Sequence, residues 1–247
     1  MCPLILRRNV LQLDNITDLV NTDIRLRESD HTYILESKPT IGFCNVTNLV
    51  GDQFPPFRRE KLARWLVNTS HKYSAYTEEE LLQEWEDIKD QGSAVHKELE
   101  NYILSGKIPV LPKAISGMNW YDQEIEFYGD KVFPEIIVFS EELELAGTMD
   151  LLVYNSNTGE CNIFDWKTSK KIDYNGRKQA ITPACAGLTD CRFDQYSLQL
   201  SMYSYLLENY HDIKVANRYI VQLTETDTKC IESKNLEHTV RLIFKNL

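Results

Sequence analysis

Residues 146–154 read A-G-T-M-D-L-L-V-Y, residues 155–160 N-S-N-T-G-E and residues 161–170 C-N-I-F-D-W-K-T-S-K. Leu151 to Tyr154 and Cys161 to Trp166 are short apolar, β-branched and aromatic runs, and the Asn/Ser/Thr/Gly cluster between them suits a hairpin loop. The reading is two adjacent antiparallel strands, with Asp150 opening the first and Asp165 and Lys167 near the end of the second. Residues two apart on a strand share a face, so this hairpin gathers two carboxylates and one ammonium into a small volume.

Two carboxylates a few ångströms apart repel unless a hard cation sits between them, and oxygen donors are what Mg²⁺ or Mn²⁺ prefers. A lysine beside them orients a water or neutralises charge developing on a phosphate. Taken alone, a D-x-K triplet is more often a solvated strand edge. Here Ile163, Phe164 and Trp166 mark the strand as buried, and buried charges demand partners.

The chain has 247 residues, 43% hydrophobic and 26% charged, which suits one large soluble domain with a sizeable core. No apolar run approaches the roughly 20 residues needed to cross a membrane, and residues 1–10 lack the pattern of a secretory signal, so an intracellular location is expected. Cys2, Cys44, Cys161, Cys185, Cys191 and Cys230 form no C-x-x-C pair and read as free thiols, although Cys185 and Cys191 fall in one loop. The formal net charge of −10 excludes a general nucleic-acid coating protein but not a nuclease, whose acidic centre is neutralised by metal.

Along the chain, residues 11–20 read as a short helix, and 31–43 as a hairpin closed near Ser37 to Pro39. Asn45 to Val50 opens a helix capped by Asn45 or Thr47 and broken by residues 53–57. Arg58 to Val67 reads as a helix carrying Arg58, Arg59, Lys61 and Arg64, which is either a solvated face or a nucleic-acid track. Thr77 with Glu80 forms a capping box before one helix, and Ser93 to Leu104 forms a second with His96 beside its apolar stripe. Gly117 to Lys131 looks helical, with Pro134 as its stop, and Ile136 to Phe139 is a strand.

Ser169 to Cys191 is a long polar loop containing Lys170, Lys171, Arg177 and Lys178. Asp194 to Tyr210 returns to a helix on the spacing of Tyr196, Leu200, Tyr203 and Leu207. Tyr219 to Leu223 is expected as the last strand, with residues 238–244 strand or helix. This order predicts an α/β fold, a central mixed sheet flanked by helices, in a single domain whose residues 1–131 are mainly helical and whose residues 132–247 form the core.

The ordered set His96, Gly147 with Asp150, Asp165 with Lys167, and Gln199 with Tyr203 resembles the RecB-type nucleases of the PD-(D/E)-x-K superfamily, a group that includes mitochondrial and viral or phage exonucleases. The resemblance covers Gln91 to Tyr205 and implies a restriction-endonuclease-like core. It implies that Asp150, Asp165 and the Trp166 carbonyl hold Mg²⁺ or Mn²⁺, joined by His96, and that Lys167 positions or activates the attacking water. Glu135 falls where the family often carries a glutamate, to join the metal or hold Lys167; an edge-strand salt bridge is the equal alternative. Gln199 and Tyr203, one helical turn apart, would place DNA or order the lysine.

The family's naming proline is absent before Asp150, as in many RecB-like members, and no four-cysteine iron–sulfur arrangement is present. The activity implied is metal-dependent cleavage of single-stranded or end-containing DNA, guided by Arg58, Arg59, Lys61 and Arg64 and by Lys170, Lys171, Arg177 and Lys178. Two alternatives stand beside it: a catalytically silent nucleic-acid-binding module and a cap-snatching-like RNA endonuclease.

Overall fold

The computed structural model describes residues 3–245 and 247, so Cys2 lies outside the described residues. Helix α1 (Pro3–Val20) precedes an antiparallel ribbon of β1 (Ile24–Arg27) and β2 (Thr32–Leu35), then β3 (Cys44–Asn45) and α2 (Val46–Gly51). Helices α3 (Arg59–Thr69), α4 (Glu78–Ser105) and α5 (Pro112–Glu124) follow. Strands β4 (Lys131–Ser140), β5 (Leu145–Asn155) and β6 (Glu160–Lys167), helix α6 (Arg192–Tyr210), strands β7 (Val215–Leu223) and β8 (Thr228–Glu232) and helix α7 (Glu237–Phe244) complete the chain.

The main sheet runs β3-β5-β6-β7-β8, with β4 paired to β5. It is mixed: β5 is antiparallel to β4 and β6, whereas β3–β5 and β6–β7 are parallel. Alternate residues of β5 and β6 point to opposite faces, and both faces are covered. Leu151, Val153, Phe164 and Trp166 pack with Val95 and Leu99 of α4 and Ala114 of α5. Leu152, Tyr154 and Ile163 join Ile16, Val46, Leu200, Tyr203 and Val240 from the helices on the other side. Burial on both faces explains why residues 161–166 are a nearly continuous apolar run rather than an alternating one.

The expected hairpin at 151–166 is present, but Asp150 sits inside β5 rather than opening it, because the strand extends back to Leu145 to pair with β3 and β4. The N-terminal ribbon closes earlier than Ser37–Pro39. Its turn lies at residues 28–31, where Arg27 pairs with Asp30 at 2.5 Å and His31 takes the left-handed conformation (φ 57). The helix expected to continue to Lys131 ends at Glu124, followed by a 3-10 turn at Ile125–Phe127, and Lys131 already begins β4. Pro134 therefore lies within a strand and stops no helix. Among the described strands β4 pairs with β5 alone, and a proline is tolerated where no second neighbour needs its N–H.

The two helices expected from Thr77 and Ser93 are one helix of 28 residues, opened by the Thr77–Glu80 capping box and closed by Gly106 at φ 72. Gly92 sits inside it without ending it. Asn45 caps α2 by accepting the Thr47 N–H. Residues 238–244 resolve as helix, and Tyr219–Leu223 is not the last strand, since β8 follows it through the short 224–227 turn.

Candidate active site

Strands β5 and β6 pair from Asn155↔Glu160 to Leu151↔Phe164 and then part. Continued by one rung, that register would set Asp150 opposite Asp165. The Asp150 carboxylate occupies the gap instead, its Oδ2 accepting the Trp166 N–H at 2.6 Å. On the other side β4 runs from Pro134↔Leu151 to Ile136↔Met149 and leaves Glu135 unpaired opposite Asp150, at φ 52. A non-glycine residue held there is strained, and such strain persists only where the surroundings impose it. Glu135, Asp150 and Asp165 thus come from three neighbouring strands where the ladder is broken on both sides.

From α4, His96 Nδ1 meets Asp150 Oδ1 at 3.1 Å. One ligand atom each from His96, Glu135 and Asp150 all lie within 4.8 Å of one another. Lys167 Nζ stands 2.6 Å from Asp165 Oδ2, as expected for residues two apart on one strand. That buried oxygen has this ionic contact but no well-directed hydrogen bond. Lys167 also donates to Gln199 Oε1 at 3.4 Å, Gln199 Nε2 donates to the Tyr203 hydroxyl at 3.0 Å, and the ammonium lies 4.5 Å from the centre of the Tyr196 ring.

The charges are tightly coupled. Burial, then repulsion from Asp150, pushes the Glu135 carboxyl up to about 8. Burial also raises Asp165 to about 6, with Lys167 restraining the rise. Burial opposes ionisation of Asp150 too, but the charge and hydrogen bond of His96, then Lys167 and the Trp166 N–H, outweigh it and hold Asp150 below its ordinary value. Lys167 and His96 are disfavoured as cations by burial, yet Asp165 in the first case and Asp150 in the second keep each above its usual pKa.

A pH dependence follows. Glu135 and Asp165 titrate higher in the folded chain than their ordinary 4.5 and 3.8, so the folded state binds more protons than the unfolded one between those values and about 8 and about 6. Their contribution to stability is complete at low pH and is lost as pH rises through that window. Without metal, the melting temperature is expected to fall from pH 5 to pH 8, at roughly 2–4 °C per kcal/mol. A divalent cation, if held there, would stabilise the carboxylates and should flatten or reverse the slope. Scanning calorimetry in EDTA and in Mn²⁺ checks this, and equal slopes in the two series would count against a cation site.

Gly147 explains why the motif begins with glycine. Its φ is not positive; what matters is space. A Cβ there would lie 2.6 Å from Tyr203 Cε1 and 3.1 Å from Val46 Cβ, so only glycine lets β5 seat against α6 and α2. Gly147→Ala is expected to cost about 1–3 kcal/mol, with the displaced Tyr203 ring drawing Gln199 away from Lys167. Denaturant unfolding measures the cost, and an unchanged midpoint would refute the packing role.

Eight of the expected residues come together: His96, Glu135, Asp150, Asp165, Trp166, Lys167, Gln199 and Tyr203. Sequence reasoning missed three neighbours. Tyr196 contacts Lys167 and bonds Ser169 through its hydroxyl at 3.1 Å, and its place three residues before Gln199 put it on the same helix face. Lys113 donates to the Thr168 carbonyl at 2.8 Å, and Tyr33 meets Thr148 at 3.0 Å; both are long-range contacts with no local signature.

The two basic stretches differ. On α3 and α4, Arg59 pairs with Glu86 and Arg64 with Glu78, Arg58 and Lys61 are exposed, and residues 58–90 carry six Lys and Arg against eight Asp and Glu. In the loop after β6, Lys170, Lys171, Arg177 and Lys178 are all exposed, against Asp173 and Asp190. A separate groove of about 540 Å³, between α1 and the end of α6, is lined by Asp18, Glu208 and Asp212, which would repel a polyanion.

Among the described residues no helix is long and apolar enough to cross a membrane. In comparisons with known proteins, the chain matches no family model and no curated sequence.

Proposed function

We propose that the chain is a Mg²⁺- or Mn²⁺-dependent deoxyribonuclease with a restriction-endonuclease-like core, hydrolysing phosphodiester bonds of single-stranded or end-containing DNA. The observation that carries this reading is the grouping of His96, Glu135 and Asp150 within 4.8 Å of one another, with the Asp165–Lys167 pair on the next strand and one buried Asp165 oxygen having only an ionic contact. Oxygen donors with one imidazole suit a hard divalent cation. Asp150, Asp165 and the Trp166 carbonyl would hold it, with His96 and Glu135 completing the set or holding a second. When bound, the cation supplies Lewis-acid charge that polarises the phosphodiester and offsets the charge of the leaving oxygen.

The side chains supply the rest. Lys167, kept an ammonium by Asp165, orients the attacking water and donates to the phosphate oxygen on which charge develops. Gln199 and Tyr203 fix the lysine from α6, and the Tyr196 ring limits its movement. Lys170, Lys171, Arg177 and Lys178, with Arg58 and Lys61, hold the polyanion beside the site.

The test is cleavage of end-labelled single- and double-stranded oligonucleotides by purified protein in Mg²⁺, Mn²⁺ or EDTA. Metal-dependent cleavage is expected, and its absence with both cations on every substrate sinks the reading. The close grouping of His96, Glu135 and Asp150 also favours a second reading, a cap-snatching-like RNA endonuclease, which preferential cleavage of RNA oligonucleotides would select. A silent binding module would bind oligonucleotide without turnover.

A further inference from the structure

Gln53, just past the end of α2, is 6% exposed and uses every polar side-chain atom it has. Its Nε2 donates to the Leu49 carbonyl at 3.0 Å, its Oε1 accepts from Thr182 Oγ1 at 2.7 Å and Cys185 Sγ at 3.8 Å, and its carbonyl accepts the Ile181 N–H at 2.8 Å. Three of these four bonds reach one segment, residues 169–191, which follows the D-x-K strand.

That segment is a folded lobe. Gln179 and Thr189 form an antiparallel bridge, Asp190 N–H donates to the Lys178 carbonyl at 2.8 Å, and Ala180 N–H donates to the Leu188 carbonyl at 3.0 Å. Gly176 presses so closely on Asp190 that a Cβ would lie 2.4 Å from its carbonyl oxygen. Ile172, Cys185 and Leu188 are buried beneath it. One side is tied to α6, where buried Asp194 accepts from Thr189 N–H at 2.8 Å and Thr189 Oγ1 at 3.0 Å. Gln53 ties the other side to α2. Outward, the lobe presents Lys170, Lys171, Arg177 and Lys178.

We propose that Gln53 is a positioning residue for polyanion binding: by clamping the 169–191 lobe it sets where these four cations stand beside the D-x-K strand. The inference rests on the nuclease reading and deepens it. None of Gln53's hydrogen bonds goes to Asp150, Asp165 or Lys167, so it governs the grip on the strand and not the hydrolytic step. The buried amide is a fixed anchor, because removing it leaves the half-buried Thr182 hydroxyl without its acceptor.

Two variants test this: Gln53→Ala, and Thr182→Val, which removes the same bond from the lobe side and serves if the first fails to fold. The lobe is read without any activity, by peptide-mapped labelling of Cys185 with a thiol reagent in the native protein. Labelling is expected to rise in both variants. With Mn²⁺ saturating, KM for a single-stranded oligonucleotide is expected to rise about tenfold, the equivalent of one charge-assisted hydrogen bond, with kcat within about twofold of wild type. The salt dependence of affinity should become shallower by about 0.7 for each phosphate that the lobe no longer neutralises.

A loosened lobe with unchanged KM, or unchanged Cys185 labelling in both variants, overturns the proposal and leaves the nuclease reading standing. Wild-type protein that neither cleaves nor binds the oligonucleotide overturns both.

Discussion

Replacing Asp165 with asparagine is expected to abolish metal-dependent cleavage while leaving the fold intact. The substitution keeps the shape of the side chain and removes its negative charge, in a position where burial already pushes the carboxyl up to about 6. Without a cation, ionised Asp165 is therefore costly, offset chiefly by Lys167 through a 2.6 Å ionic contact and less by the charge of His96. An oxygen of this kind, buried and without a directed hydrogen bond, is tolerated where a cation is to be held. Several kcal/mol of charge stabilisation in the transition state is at stake, equivalent to about 10³-fold in rate. Mn²⁺ titration calorimetry should show weakened binding, and thermal unfolding in EDTA should show a lowered melting temperature, because Lys167 loses the carboxylate that offsets its burial. Cleavage at wild-type rate would end the site assignment.

Lys167→Met is expected to separate chemistry from metal binding. Methionine matches the length of lysine without its charge, so the pocket stays filled while the proposed donor to the phosphate is removed. Taking away one such donor costs about 10²–10³-fold in kcat. Asp165 would also lose the strongest influence that restrains its pKa, so its carboxyl should rise above about 6 and Mn²⁺ binding should shift to higher pH. Single-turnover cleavage at saturating Mn²⁺, compared with calorimetry, resolves the two effects. If Lys167→Met loses the metal as completely as Asp165→Asn while saturating Mn²⁺ restores the full rate, the lysine is a counter-ion and not part of the hydrolytic machinery.

The elements differ in how far they could be read from sequence. Where the determinant is local, the reading was accurate. The β5–β6 hairpin follows from two apolar runs around a turn cluster, the start of α4 from its capping box, and α6 from its helical spacing. Pro134 was misread because a proline looks the same in sequence whether it ends a helix or lies on a strand with one neighbour; only the pairing of β4 distinguishes them. The strand at 228–232 was missed because T-K-C-I-E alternates weakly and gains its identity from β7.

The candidate site divides in the same way. By itself the sequence determined its inventory: Asp165 and Lys167 two apart on a strand, Gln199 and Tyr203 one turn apart on a helix, His96 and Glu135 upstream. Tertiary structure alone decided that β5 and β6 part at Asp150, that Glu135 takes a left-handed backbone beside it, and that Arg59 and Arg64 are answered by glutamates while the loop cations are exposed. It also decided that Gly147 is needed for space beside Tyr203 and that Gln53 holds the lobe. Periodicity fixes which face a side chain takes because backbone geometry is local. Which charge meets which, and where a ladder breaks, depends on residues far apart in the chain, and these meet only once the sheet and its helices have packed.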